Sequence, residues 1–295
     1  VSPIRSLCWA AGVLRPLTEF RPHLDERAFR YGDGVFATLS LRRGRLLDAE
    51  AHLDRLRSSA AAIDLGVPEP VRDVGRLSDI LLLLGADGGR TTDGVIRVQV
   101  SAGPGGRGFG RGEPGSWELV EIHSSPDSRR LTVVVLDPGE VPVPALPRVK
   151  SCSSLAHVLC SAAATRRGCA EAVRTSAGHP LEAAASNLFW EADGELFTPS
   201  ATLPLYPGVT REVALRVARS CGWTVHEGEF DASALARARA AFLTNAVRGM
   251  EPVAELEGRR LAWTPELESL RTAVESERDE LGVPLDGSGA AAGRD

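Results

Sequence analysis

Apolar positions along the chain change period several times, and each change marks an element. Val35-Phe-Ala-Thr-Leu-Ser-Leu41 is rich in apolar and β-branched residues and predicts a strand. Arg42-Arg43-Gly44-Arg45 predicts a turn, with Leu46-Leu47 opening a return strand. From Asp48 to Leu65 the period becomes helical: Leu53, Leu56, Ala60 and Ile63 recur at three- and four-residue spacing, and Gly66 ends the run. Val71 to Leu84 predicts a second helix. Val95–Val100 alternates as a half-buried strand does, and Trp117–His123 predicts another. Between them, Gly103–Gly110 is too glycine-rich for a regular element and predicts a loop. Ahead of all this, the chain to about Glu26 is irregular with short strand candidates, and Arg27–Gly34 brings two turn glycines round Asp33.

Ser124-Ser-Pro-Asp-Ser128 clusters turn residues and predicts a linker. Leu131–Leu136 then opens a second unit. A Pro-rich, extended run, Val141–Pro147, leads through Arg148-Val-Lys150-Ser-Cys152-Ser-Ser154 into an Ala-rich helix from Leu155 to about Arg167. Lys150 is thereby expected at a strand-to-helix junction and not on a mobile loop. A strand near Glu171–Thr175 follows, then a hairpin over Leu188–Phe197 turning at Asp193-Gly194. Val209–Ser220 predicts a helix, Thr224–Glu227 a strand, Ala232–Ala238 a short helix, Ala240–Thr244 a buried strand and Glu266–Leu281 the last helix. The organisation expected is a small α+β domain over 1–123, a linker over 124–130, a large domain over 131–286 and a disordered tail over 287–295.

Bulk properties narrow the classes. A hydrophobic content of 43% with 25% charged residues fits a soluble globular enzyme. A net charge of −5 gives no reason to expect nucleic acid or an anionic membrane as partner. No apolar run approaches the roughly 20 residues of a membrane helix, and Val1-Ser-Pro-Ile-Arg lacks a signal-peptide core, so a cytoplasmic location is expected. The five cysteines lack metal-site spacing and are expected to be free thiols. No metal site is expected, and neither a P-loop nor a Gly-x-Ser-x-Gly elbow is present.

Candidate chemistry lies in separated stretches. Gly208-Val209-Thr210 opens a helix whose free N–H groups and dipole suit an anion. Arg107, in Gly103-Pro-Gly-Gly-Arg-Gly-Phe109, puts a guanidinium on a glycine-rich loop and suits a carboxylate clamp. Taken with Arg148-Val-Lys150, Glu182-Ala-Ala-Ala-Ser186-Asn187-Leu-Phe189 and His52-Leu-Asp-Arg55-Leu, these stretches occur in an order that resembles the fold-type IV pyridoxal-phosphate enzymes, the class IV aminotransferase family, from about Leu24 to Val253. The resemblance implies an α+β, two-domain fold like that of D-amino-acid aminotransferase: a small α/β domain plus a larger β-barrel-like domain with helices. It implies pyridoxal 5'-phosphate as cofactor and a homodimer. Lys150 would attach the cofactor, Glu182 would face its ring nitrogen, and Arg55, Asn187, Gly208, Val209, Thr210 and Thr244 would complete its binding.

Within that family the text is closest to 4-amino-4-deoxychorismate lyase. Phe36-Ala37-Thr38 replaces the Phe-Glu or Tyr-Glu pair common in the aminotransferases, and the lyases carry a hydroxyl here, which makes Thr38 a second candidate catalytic residue. The Gly103–Phe109 loop and Thr244-Asn245-Ala-Val-Arg-Gly249 resemble lyase text. Arg97, Arg107 and Asn245 are the candidate substrate contacts, suiting a small molecule with carboxylates, although Arg97 fits a surface ion pair equally. The alternative is an aminotransferase of D-amino-acid or branched-chain type. Ala102, Ala246 and Ser153-Ser154 depart from common family residues.

Overall fold

The computed structural model describes residues 7–85, 92–105, 107–112, 115–127 and 129–285. The tail expected over 287–295 lies outside them. In chain order the elements are β1 (Leu7–Ala10), β2 (Val13–Pro16), α1 (Arg27–Tyr31), β3 (Gly34–Arg42), β4 (Arg45–Leu46), α2 (Ala49–Ala61), α3 (Val74–Gly85), β5 (Gly94–Ser101) and β6 (Trp117–His123). There follow β7 (Leu131–Val135), α4 (Leu155–Arg166), β8 (Glu171–Ser176), β9 (His179–Ala183), β10 (Asn187–Ala192), β11 (Glu195–Pro199) and α5 (Val209–Ser220). The last are β12 (Val225–Gly228), β13 (Ala240–Asn245), β14 (Gly249–Leu256), β15 (Arg259–Arg260), α6 (Pro265–Glu280) and β16 (Val283–Pro284).

Two compact units result. Of the described residues, one holds those up to Pro126, together with Val149–Ser153 and those from Asp279 on; the other holds those of Asp127–Arg148 and Ser154–Arg278. Lys150 thus groups with the first unit, although the sequence reading assigned it to the large domain.

In the first unit, seven strands among the described residues form one sheet in the order β16-β4-β3-β5-β6-β1-β2. The alternation read in the sequence decides its faces. Val35, Ala37 and Leu39 of β3 and Ile96, Val98 and Val100 of β5 are buried in a core with Leu53, Leu56 and Ala60 of α2 and Leu77 of α3. The residues between them, Phe36 and Thr38, Arg97 and Gln99, occupy the other, half-buried face. Arg27–Tyr31, expected as part of a turn, forms the five-residue helix α1, capped by Glu26 and ended by Gly32 at φ 67°. The helix expected over Val71–Leu84 divides into a 3₁₀ turn at Glu69–Val71 and α3.

In the second unit, β10 pairs with β13 on one side and with both β11 and β9 on the other. The sequence β10-β13-β14-β7-β8-β9 therefore returns on itself, a closed ring to which β11 and β12 are appended. The ring closes at a single pair, Asn187 opposite Glu182, where the chain turns from β9 into β10. Leu188, Trp190 and Ala192 face the core inside the ring, and Phe189 packs outward in a second core with Val213 and Val217 of α5 and Leu270 and Val274 of α6. Burial on both faces explains why Leu188-Phe189-Trp190 is apolar at every position and does not alternate. Its hairpin with β11 turns at Asp193 (φ 55°) and Gly194 (φ 82°), the two positive angles that this turn sequence favours. Ala232–Arg237, expected as a helix, is a 3₁₀ segment.

Candidate active site

Lys150 sits on a strip of backbone held as an extra strand. The N-terminal half of β3 lacks β4 as a neighbour, and there Phe36 N–H donates to the Lys150 carbonyl (2.9 Å) while Cys152 N–H donates to the Gly34 carbonyl (2.8 Å). Val35 and Ser151 form the antiparallel bridge between them. On α2, Ser59 Oγ accepts from Lys150 N–H at 3.3 Å. The two glycines round Asp33 make room for this strip. A Cβ on Gly34 would stand 2.6 Å from the Val100 carbonyl oxygen and 3.3 Å from Cys152 Sγ, and one on Gly32 would run into Ser153.

The lysine side chain meets the half-buried face of the sheet. Its Nζ lies 4.8 Å from the Phe36 ring centroid, and the Arg97 guanidinium lies 4.0 Å from the same centroid, so one aromatic ring meets two basic side chains. Thr38 pairs directly with Arg97 across β3 and β5. Arg55 is half-buried on α2, one helical turn before Ser59 and on the same side of the helix. Burial pushes the neighbouring Cys152 thiol up to about 11, so it remains protonated at neutral pH.

The glycine-rich loop is fastened by residues that the sequence reading did not single out. Arg27, nearly fully buried, donates through Nε to Asp33 (2.8 Å), through Nη1 to the Gly110 carbonyl (3.0 Å) and through Nη2 to the Phe109 carbonyl (2.9 Å). Arg111 also bonds Asp33 and reaches the Ile63 and Asp64 carbonyls. Hydrogen bonds from Arg111 first, and then Arg27, hold the Asp33 carboxyl below its usual range. Arg107 is exposed on the loop so fixed.

In the second unit, three strands set Glu182, Asn187 and Thr244 side by side, since Asn187 is the register partner of both of the others. Asn187 Nδ2 donates to Glu182 Oε2 (3.2 Å) and to the Tyr206 carbonyl (2.7 Å), while its Oδ1 accepts from Gly208 N–H (2.9 Å). Glu182 Oε1 accepts from Tyr206 N–H (3.1 Å) and from Arg174 Nη2 (2.7 Å). Gly208 begins α5, and a Cβ there would stand 2.6 Å from Asn187 Oδ1. Val209 and Thr210 supply the first turn; α5 has no side-chain cap. The hydroxyls of Thr210 and Thr244 are buried and without a hydrogen-bond partner among the described residues. Two idle hydroxyls are costly in a packed interior, and together with an uncapped helix start they fit an anionic group such as a phosphate.

Asn245 has a structural task. Its Oδ1 accepts from Val247 and Arg248 N–H, and its Nδ2 donates to Ser186 Oγ, which fixes the turn between β13 and β14. Arg211 is buried against the Pro199 carbonyl and Glu227. The candidates thus divide: Thr38, Arg55, Arg97, Arg107 and Lys150 lie in the first unit, and Glu182, Asn187, Gly208, Val209, Thr210, Thr244 and Asn245 in the second. Arg174 carried no signal in the sequence, where it reads as one residue of a strand.

The second unit therefore brings two buried hydroxyls to the same cluster as a helix start without a side-chain cap, and the first holds a lysine fixed by its own backbone. The chain belongs to the family described as amino-transferase class IV, which matches residues 34–256. Its relatives include an aminodeoxychorismate lyase of Vibrio harveyi, 28% identical over 78% of this chain and 85% of that protein. A D-alanine aminotransferase of Listeria monocytogenes is 27% identical over 81% of this chain and 83% of its own. A bifunctional aminodeoxychorismate lyase / D-amino acid transaminase of Mycobacterium tuberculosis is 28% identical over 86% and 92%. Among solved structures, the Escherichia coli branched-chain amino acid aminotransferase gives a TM-score of 0.85 at 20% identity, covering 96% of this chain and 99% of that one. The PLP-bound form of a hypothetical aminotransferase from Mycobacterium tuberculosis gives 0.80 at 24% identity, covering 93% and 99%. The expected fold is the fold observed. Among the described residues, no helix is long and apolar enough to cross a membrane.

Proposed function

We propose that this chain uses pyridoxal 5'-phosphate to cleave 4-amino-4-deoxychorismate into 4-aminobenzoate and pyruvate. The observation that carries the reading is the cross-strand pair of Thr38 with Arg97 beside Phe36. It sets a hydroxyl next to a carboxylate-binding cation, and Ala37 stands where the aminotransferases commonly carry an acid. The relatives named as lyase, or as lyase and transaminase together, support it.

When bound, the cofactor supplies an electron sink to the carbon that bears the substrate's amine. Gly208, Val209 and Thr210 with Thr244 would hold its phosphate, and Arg55 would assist. Glu182, steadied by Asn187, would accept from its ring nitrogen. Lys150 would hold the cofactor, and its Nζ would serve as the base that takes the proton from the substrate's amine-bearing carbon. Thr38 Oγ1 hands a proton to the departing enolpyruvyl group as the ether C–O bond breaks and the ring becomes aromatic. Arg97 and Arg107 hold the two carboxylates, and Asn245 contributes through the turn it fixes. The working form is a homodimer, which suits the exposure of Leu155 (68%) and Val158 (59%) on α4.

The second reading is amino-group transfer to a 2-oxo acid, favoured by the D-alanine aminotransferase relative. Incubating holoenzyme with aminodeoxychorismate separates the two. Pyruvate release by the wild type, and a loss of ~10³-fold or more in Lys150→Ala, is the expected result. No pyruvate, with the cofactor spectrum instead converted by D-alanine or L-leucine, establishes the transferase.

A further inference from the structure

We infer that Arg174 is the positioning residue for Glu182, holding that carboxylate ionised and oriented as acceptor for the cofactor's ring nitrogen. The inference rests on the reading above, in which Glu182 faces that nitrogen.

The geometry is unusual for a merely structural arginine. The Arg174 side chain is 0% exposed and that of Glu182 is 6% exposed. Their contact is one-handed, Nη2 to Oε1 at 2.7 Å, and not the bidentate fork that guanidinium and carboxylate normally form. Arg174 Nε and Nη1 are buried with no hydrogen-bond partner among the described residues. A buried cation with two unmet donors is a poor stabilising device, and an apolar side chain of similar volume often serves a fold as well or better. What the arginine does supply is charge at one oxygen of Glu182. Oε1 is occupied by Arg174 and by Tyr206 N–H, and Oε2 takes its bond from Asn187. These donors fix the plane of the group and set both oxygens in defined directions.

A carboxyl group this deeply buried and lacking a cation would favour its neutral form. Neutral, it would no longer supply the negative charge that keeps a pyridine nitrogen protonated. Other titratable groups surround the pair, and none replaces the guanidinium. Cys160 on α4 is pushed up to about 11 by burial and is an uncharged thiol at neutral pH. His157, also on α4, places Nδ1 2.9 Å from the Ala184 carbonyl. Glu171, earlier on β8, is paired with Arg129 at 2.7 Å. Tyr206 meets Glu182 through its backbone N–H.

The sign of the pH effect follows. Without Arg174 the folded-state titration of Glu182 moves upward, so the anion is retained at high pH and lost as pH falls through the raised value. The test titrates pyridoxal 5'-phosphate into apoprotein by quenching of tryptophan fluorescence, at pH 6 and pH 8. It uses wild type, Arg174→Met, the polar but neutral Arg174→Gln, Arg174→Lys and Glu182→Gln. Relative to wild type at the same pH, either neutral variant is expected to bind more weakly at pH 6 than at pH 8 by a further ~10-fold, the factor for one unit of displacement. Arg174→Lys is expected to restore most of the wild-type profile, and Glu182→Gln to be weak at both pH values. If Arg174→Met does not fold, Arg174→Gln and Arg174→Lys still give the comparison. A neutral variant whose affinity matches wild type at both pH values overturns the inference alone. A wild-type chain that takes up no cofactor overturns it together with the reading on which it rests.

Discussion

The strip that carries Lys150 and the row Glu182–Asn187–Thr244 are built on opposite principles. The strip is held through main-chain groups: Phe36 N–H, the Gly34 carbonyl and the bridge of Val35 to Ser151. The row is held through side chains, with one carboxamide tying Glu182, Tyr206 and Gly208 together. Backbone pairing is indifferent to most side chains and intolerant of added volume where two chains approach closely. A side-chain network is indifferent to small shifts in volume and intolerant of a missing donor or acceptor. On the proposed reading, the first arrangement suits a lysine whose amine moves while its anchor stays still. The second suits a cradle whose every atom has a fixed direction.

Three variants press on that contrast, from the largest effect to the smallest. Asn187→Ala removes at once the bonds to the Gly208 amide, the Tyr206 carbonyl and a Glu182 oxygen. Each such loss costs about 1–3 kcal/mol, so the expectation is a loss of at least about 3 kcal/mol in urea melts and a cofactor affinity lower by at least ~100-fold. Gly34→Ala adds one methyl group 2.6 Å from a backbone oxygen. It should cost about 1–3 kcal/mol of stability by chemical denaturation, without removing a single hydrogen-bonding group. A cost under about 0.5 kcal/mol would show that the backbone round Gly34, at the Val100 carbonyl, yields. Thr210→Val with Thr244→Val removes two hydroxyls that have no hydrogen-bond partner among the described residues. Stability of the apoprotein should stay the same or rise slightly, while cofactor binding weakens ~10-fold. A fall in apoprotein stability equal to the fall in binding would mean that the hydroxyls serve the fold.

The pattern of apolar residues disclosed most of the framework. Strands β3, β5, β6, β10 and β13 and helices α2, α5 and α6 lie where periodicity places them, because each buries a continuous face. What escaped is instructive. His179–Ala183 and Gly249–Leu256 are strands, but Pro180 and Pro252 interrupt the period-two signal, and Pro252 nevertheless pairs with Phe242. Helix α1 is too short for any periodicity to register. In the candidate site, Lys150, Glu182 and the start of α5 were legible because each sits in a distinctive local text. Arg174 and Arg27 were not, because their importance comes from what lies beside them after folding, and a lone arginine between apolar neighbours has no sequence signature. The glycines at 32 and 34 were legible as turn residues, while their use as clearance for the Lys150 strip depends on a contact more than a hundred positions away.

The closing pair of the strand ring, Asn187 with Glu182, is also part of the cradle. Whatever settles there must zip the seam. Amide hydrogen exchange along Leu181–Leu188 is therefore expected to slow when the cradle fills, far more than exchange in β7 on the remote arc of the ring. On the proposed reading, occupancy and closure are one linked equilibrium, and the ligand would brace the barrel as well as serve its chemistry.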